Sequence, residues 1–194
     1  MLGAIKYNFR HLFDFSGRDA RSTFWYWFLF VIVLNIVVSL AISIPTVVGA
    51  ISSATEAAQD GNRAMAEAAA RDRMAGMATP LIWASIVVGL ANIVLLAASF
   101  VRRLHDSGKS AVWAVLAGAV QLVTLFLALE KIEDAEAMIR NAAAARSAGE
   151  AFAMQGPIAW QSLIGWIPLA ILIVFGVMKP DEGANRYGES PVRF

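Results

Sequence analysis

The chain contains no cysteine, which excludes disulfides, thiolate metal sites and cysteine nucleophiles. Only two of its 194 residues are histidine, too few for a histidine-rich metal centre. Charge is scarce as well: 16% of residues are charged and 58% are hydrophobic, where soluble domains carry about 25% charged residues. Mean hydropathy is +0.60. So much apolar surface needs a solvent other than water, and the composition points to an integral membrane protein. A net charge of +1 with no long basic tract gives no reason to expect nucleic acid as a partner.

A hydrocarbon core of about 30 Å takes about 20 apolar residues at helical rise. Four stretches meet or approach that length: Phe24 to Ile44, Pro80 to Phe100, Ala111 to Leu129 and Ile158 to Met178. None holds a charged residue. Pro45 ends the first, and Pro168 marks a kink in the fourth. Pro80 and Pro157 suit first helical positions, with Thr79 and Gly156 as caps. The first run is too long, and too aromatic at its start, for a cleaved signal peptide. The expected architecture is an all-α integral membrane protein in which residues 1–194 form one membrane domain of four antiparallel transmembrane helices.

Orientation follows from Lys and Arg near the ends of the spans. Lys6, Arg10, Arg18, Arg21, Arg102, Arg103, Lys109, Lys179, Arg186 and Arg193 all fall on one side. The connections 49–79 and 130–157 hold six basic residues offset by nine acidic ones. Both termini and the mid-chain turn are therefore expected in the cytoplasm. The two connections are Ala-rich, with opposite charges at helical spacing: Asp60 with Arg63, Arg63 with Glu67, Glu67 with Arg71, and Glu136 with Arg140. They read as helical extensions, either a solvated hairpin or a contact surface for an envelope partner. At the N-terminus, Leu2, Ile5, Phe9, Leu12 and Phe13 recur near helical spacing with Lys6 and Arg10 on the wet side. That pattern fits a short interfacial helix. The tail after the fourth span, KPDEGANRYGESP, is a string of turns.

Candidate chemistry concentrates in SFVRRLHDSGKSAVW. Its SGKS is not a Walker phosphate loop, because the position five before Gly108 is Arg103 and not glycine. His105 and Asp106 supply too few ligands for a catalytic metal, and nothing places a serine against His105. No catalytic residue, metal or cofactor is expected. Two readings of the stretch are compatible. Asp106, Ser107 and Gly108 form a tight turn in which Asp106 pairs with a nearby Arg. Arg102, Arg103, His105 and Lys109 also suit a phosphate-bearing headgroup. Arg21-Ser-Thr-Phe-Trp25 and Lys109-Ser-Ala-Val-Trp113 echo one another at the starts of two spans. Inside the spans, Asn35, Asn92, Gln121 and Gln161 each place one amide in hydrocarbon, as interhelical glue or as the lining of a solute path. The absence of charged side chains from the spans weighs against a proton relay.

Three segments, FDFSGRDARSTFWYW, SFVRRLHDSGKS and GANRYGESP, resemble the marks of a bacterial inner-membrane family known as domain of unknown function 805. The shared positions are Gly17, Arg18, Arg21, Phe24 and Trp25; Arg102, Arg103, Leu104, His105, Asp106, Gly108 and Ser110; and Asn185, Tyr187 and Gly188. Ala111 and Val112 separate the serine from Trp113, where the family has Gly-Trp directly, and the outer connections are longer than the family's. The resemblance implies an inner-membrane location and no known activity. With all three motifs expected on one face, Arg18 or Arg21 would pair with Asp106, and Tyr187 would close over the turn.

The function expected from these observations is non-enzymatic. A cytoplasmic cluster of Arg18, Arg21, Arg102, Arg103, His105, Asp106, Lys109, Asn185 and Tyr187 would bind anionic lipid headgroups or an acidic protein partner. The alternative is a small-solute transporter or channel component lined by Asn35, Asn92, Gln121 and Gln161. An enzyme acting on headgroups through His105 and Asp106 is the third reading.

Overall fold

The computed structural model describes residues 1–59, 63–130, 132, 135, 137 and 158–191. Six helices are defined among them: α1 (Leu2–Arg10), α2 (Arg21–Gln59), α3 (Arg63–Gly76), α4 (Ala78–Asp106), α5 (Val112–Glu130) and α6 (Ile158–Val177). There is no strand among the described residues; one isolated bridge joins Asn185 to Gly188 in the tail. Within α2, α4 and α5, the segments Arg21–Ser53, Ala78–Asp106 and Val112–Glu130 are long and apolar enough to cross a membrane. In α6, Leu163–Val177 is a shorter apolar stretch.

The chain divides into two compact units. The first comprises Met1–Asn35, Val88–Thr124 and Ser162–Phe194. Its interior holds charges that a soluble domain would leave at its surface, beside an apolar core. Arg18, Asp19, Arg102, Arg103 and Asp106 are buried, whereas Leu29, Ile32, Val33, Val94, Val115 and Val174 are exposed. Polar groups inside and aliphatic groups outside suit a lipid solvent, in which side-chain charges must find partners within the protein. Beside the charges sits an apolar cluster of Phe24, Phe100, Leu104, Ala117 and Phe175. Trp25 and Trp113, the two indoles of the sequence echo, both reach the end of α6. Trp25 Nε1 donates to the Gly176 carbonyl at 3.2 Å, and the Trp113 ring lies 4.9 Å from that of Phe175. Helix α1 turns Ala4 and Asn8 inward and leaves Leu2 and Phe9 exposed with Lys6 and Arg10, the face an interfacial helix needs.

The second unit comprises Ile36–Val87 and Leu125–Gln161. Here α3 confirms a helix in the first Ala-rich connection. Arg73 of α3 lies over Gly49 of α2, where an added Cβ would stand 2.8 Å from the guanidinium. Asp60, with its spacing to Arg63, and most of the second connection, including the Glu136–Arg140 spacing, lie outside the described residues.

Two expectations are corrected. Helix α2 does not end at Pro45 but runs through it to Gln59. Proline removes one N–H and crowds the preceding turn, and membrane helices tolerate it by local adjustment. Helix α4 starts at Ala78, one residue before Thr79 and two before Pro80, and Met77 supplies the first acceptor, to Leu81 N. Thr79 is therefore helical rather than a cap, and Pro80 stands third in the helix rather than first, still in the turn where a missing N–H costs little. Pro157 and Gly156 lie outside the described residues.

Candidate functional site

The last turn of α4 is the organising element. A helix end leaves several carbonyls without intrahelical donors, and away from water each needs a partner. The RRLHDSGK stretch supplies some of these itself. Gly108 adopts φ +67°, while Lys109 N bonds the Leu104 carbonyl and Gly108 N bonds that of His105. This pair of bonds is the Schellman arrangement, which requires a left-handed residue and therefore favours glycine. Further donors to this turn come from the first motif and from the tail. Asp19 N donates to Arg102 O at 3.1 Å, and Asp181 N to Asp106 O at 2.7 Å. Asn185 Nδ2 donates to His105 O at 2.9 Å. Three segments far apart in sequence thus finish one helix.

The arginines knit the same segments together. Arg18 forms an ion pair with Asp106 at 3.0 Å and spends its other donors on the carbonyls of Gly183, Gly188 and Asp181. Arg103 binds the second Asp106 oxygen at 2.7 Å and donates to the Gly176 and Met178 carbonyls at the end of α6. Arg102 pairs with Asp19 at 3.0 Å, with Asn8 Oδ1 at 2.7 Å, and with the carbonyls of His11 and Asp14 after α1. A guanidinium carries five N–H donors; Arg18 makes five bonds and Arg102 four. Their positive charge also lies where helix C-terminal carbonyls concentrate negative potential. Arg102 and Arg103 are 1% and 0% exposed, so neither offers a free edge to solvent.

Other expected residues close the assembly. The Tyr187 ring stacks on His105 at 3.8 Å and 8°, and His105 Nδ1 lies 3.2 Å from the Gly17 carbonyl. Tyr187 N bonds the Asn185 side chain. Arg18, rather than Arg21, is the partner of Asp106, and Tyr187 does cover the turn. Arg21 is exposed and, among the described residues, spends only Nε, on Met178 O at 2.8 Å. Lys109 is half-buried at the rim, and Arg186 stacks over Tyr187 at 4.6 Å.

Several members escaped sequence reasoning. Asp19 is buried, paired with Arg102, and accepts from Ser99 Oγ at 3.2 Å. Loss of hydration raises its carboxyl above the ordinary value, outweighing the opposing pull of Arg102 and the bonds from Arg102 and Ser99. Asn8 was also missed. The available signal was Asp19 itself, a lone acid between Arg18 and Arg21 just before a span.

The intramembrane amides divide. Asn35 and Asn92 exchange hydrogen bonds at 3.0 and 3.3 Å. Gln121 and Asn92 line a cavity of about 130 Å³ with Phe100, Ala117 and Pro168. Gln161 lies on α6, and its side chain is outside the described residues.

A family model described as "Protein of unknown function (DUF805)" matches residues 12–189. No curated protein and no solved structure matches the chain.

Proposed function

We propose that this chain, which belongs to the DUF805 family, is a non-enzymatic multi-pass protein of a bacterial inner membrane whose polar end faces the cytoplasm and engages anionic lipid headgroups. The supporting observation is a division of labour among the cations. Arg18, Arg102 and Arg103 are buried and committed to internal acceptors, and they hold the α4 end together with Asp106, His105, Asn185 and Tyr187. Arg21, Lys109 and Arg186 remain at the surface of the same assembly. Lys6 and Arg10 stand exposed on α1. Headgroup contact then falls to this outer set, and the inner set positions it.

Each juxtamembrane cation attracts anionic lipid by about 1 kcal/mol. Neutralising Arg21, Lys109 and Arg186 together by Gln should therefore cut retention of co-purified phosphatidylglycerol about a hundredfold. The thermal midpoint should stay near wild type. Unchanged retention would overturn the reading. Retained lipid with loss of a cross-linked protein would instead assign these cations to an acidic partner. The transporter reading draws less support, because Asn35 and Asn92 satisfy each other rather than a passing solute.

A further inference from the structure

A cavity of about 350 Å³ opens beside the buried ion pairs, at the start of α2. That is at the small end of the range for ligand sites, about 300–1,000 Å³. Arg18, Arg21, Ser22, Asp106, Asp181 and Ser190 contribute its polar lining. Some of these groups are already spent. Arg18 and Asp106 neutralise each other at 3.0 Å, and Ser190 Oγ donates to the Gly183 carbonyl.

Three groups are not. Arg21 keeps both terminal nitrogens free of acceptors among the described residues, since only its Nε is bonded. The Ser22 hydroxyl has no hydrogen-bond partner among the described residues, a state it shares with Thr23 Oγ1 and one that a ligand or water can relieve. Among the described residues, Asp181 accepts one bond at Oδ2, from Asn185, and none at Oδ1. The residues lining the cavity therefore carry one unspent positive charge, one unspent negative charge and one orphaned hydroxyl. Ala20, also in the lining, has no side-chain oxygen to cap α2, so the first N–H groups of the helix add to the positive side. Exposed apolar surface begins on α2 at Tyr26 and Leu29, a turn or two beyond the cavity.

We infer that this cavity takes the headgroup of a zwitterionic phospholipid, a phosphate joined to a primary ammonium by a short spacer. The phosphate accepts from Arg21 and, once its side chain turns toward the cavity, from the Ser22 hydroxyl, and the ammonium donates to the Asp181 carboxylate. The assignment rests on the reading of the polar end as a headgroup surface and adds a zwitterionic contact at this cavity to the anionic ones outside it, because a purely anionic headgroup would leave Asp181 facing like charge. Phosphatidylethanolamine has the required pair of charges; phosphatidylglycerol has the phosphate alone.

The test places the full chain in nanodiscs of equimolar phosphatidylethanolamine and phosphatidylglycerol and counts retained lipids by native mass spectrometry. Wild type should retain phosphatidylethanolamine in preference. Asp181→Asn should shift the ratio toward phosphatidylglycerol by about tenfold or more, the loss of one charge-assisted bond. Ser22→Ala should weaken both lipids alike. A second measurement needs no variant: O-phosphoethanolamine should raise the thermal midpoint of the wild-type protein in detergent more than glycerol 3-phosphate does. Preference for phosphatidylglycerol in wild type, or an unmoved ratio in Asp181→Asn, would overturn the zwitterion assignment while leaving the anionic reading standing. Loss of neither lipid in the Arg21, Lys109 and Arg186 triple variant would remove both.

Discussion

Replacing Asp106 by Asn tests the buried clamp at its centre. The substitution keeps the side chain's shape and removes one negative charge from between two guanidiniums. Arg18 and Arg103 are 6% and 0% exposed, so water cannot replace what the carboxylate supplied. Breaking a buried ion pair by removing one partner costs about 3–5 kcal/mol, chiefly because the other charge is left uncompensated. The carbonyl bonds of Arg18 to Gly183 and Asp181, and of Arg103 to Gly176, persist, which argues against exceeding that range despite two orphaned partners. For a chain of this size about 2–4 °C is lost per kcal/mol, so the midpoint should fall by about 6–20 °C. The six tryptophans provide the signal for thermal unfolding in detergent. Glu182→Gln is the control, because its pair with Lys179 is 85% and 78% exposed and surface pairs contribute little. A fall under about 2 °C for Asp106→Asn, the scale of an ordinary surface substitution, would refute the clamp.

Three further outcomes follow from the geometry. Asn35→Leu and Asn92→Leu should each destabilise by about 1–3 kcal/mol by orphaning the other amide, and the double variant should lie nearer wild type than their sum; additive thermal shifts would contradict the reciprocal pair. Gly108→Ala meets φ +67° and an Asp181 oxygen 2.5 Å from the new Cβ, so it should cost about 1–2 kcal/mol and loosen the tail, read as faster proteolysis after Lys179. Burial holds the Asp19 carboxyl above its ordinary value of 3.8, so its contribution to stability is greatest in acid and is lost as pH rises through the raised value. Wild type should therefore gain on Asp19→Asn as pH falls from neutral toward 3.8, and a constant difference in midpoint would contradict this.

Much of the fold was legible because its cause is local. Charge-free apolar runs announce spans, and the spacing from Arg103 to Asp106 fits one helical turn. Convergence of the three motifs on one face also made an Asp106 pair with Arg18 or Arg21, and the covering Tyr187, foreseeable. What was not legible depends on partners distant in sequence. Nothing local tells a buried Arg102 from an exposed Arg21; the difference is that Asp19, Asn8 and the end of α1 surround one of them. The same gap made the cationic cluster read as an open binding surface, when three of its arginines serve as internal caps. Pro45 misled because proline's cost in water does not carry over to a helix embedded in protein and lipid.

The proposed cytoplasmic placement of the polar end underlies every headgroup assignment, and the absence of cysteine makes it directly measurable. Single cysteines replace Ser190, exposed in the tail of the first unit, and Ser52, exposed on α2 in the second. Intact cells and opened membranes are then treated with an impermeant maleimide. The account predicts that Ser52→Cys labels in intact cells and Ser190→Cys only after opening. Labelling of Ser190→Cys from outside would contradict it, placing Arg21, Lys109 and the cavity at the wrong leaflet.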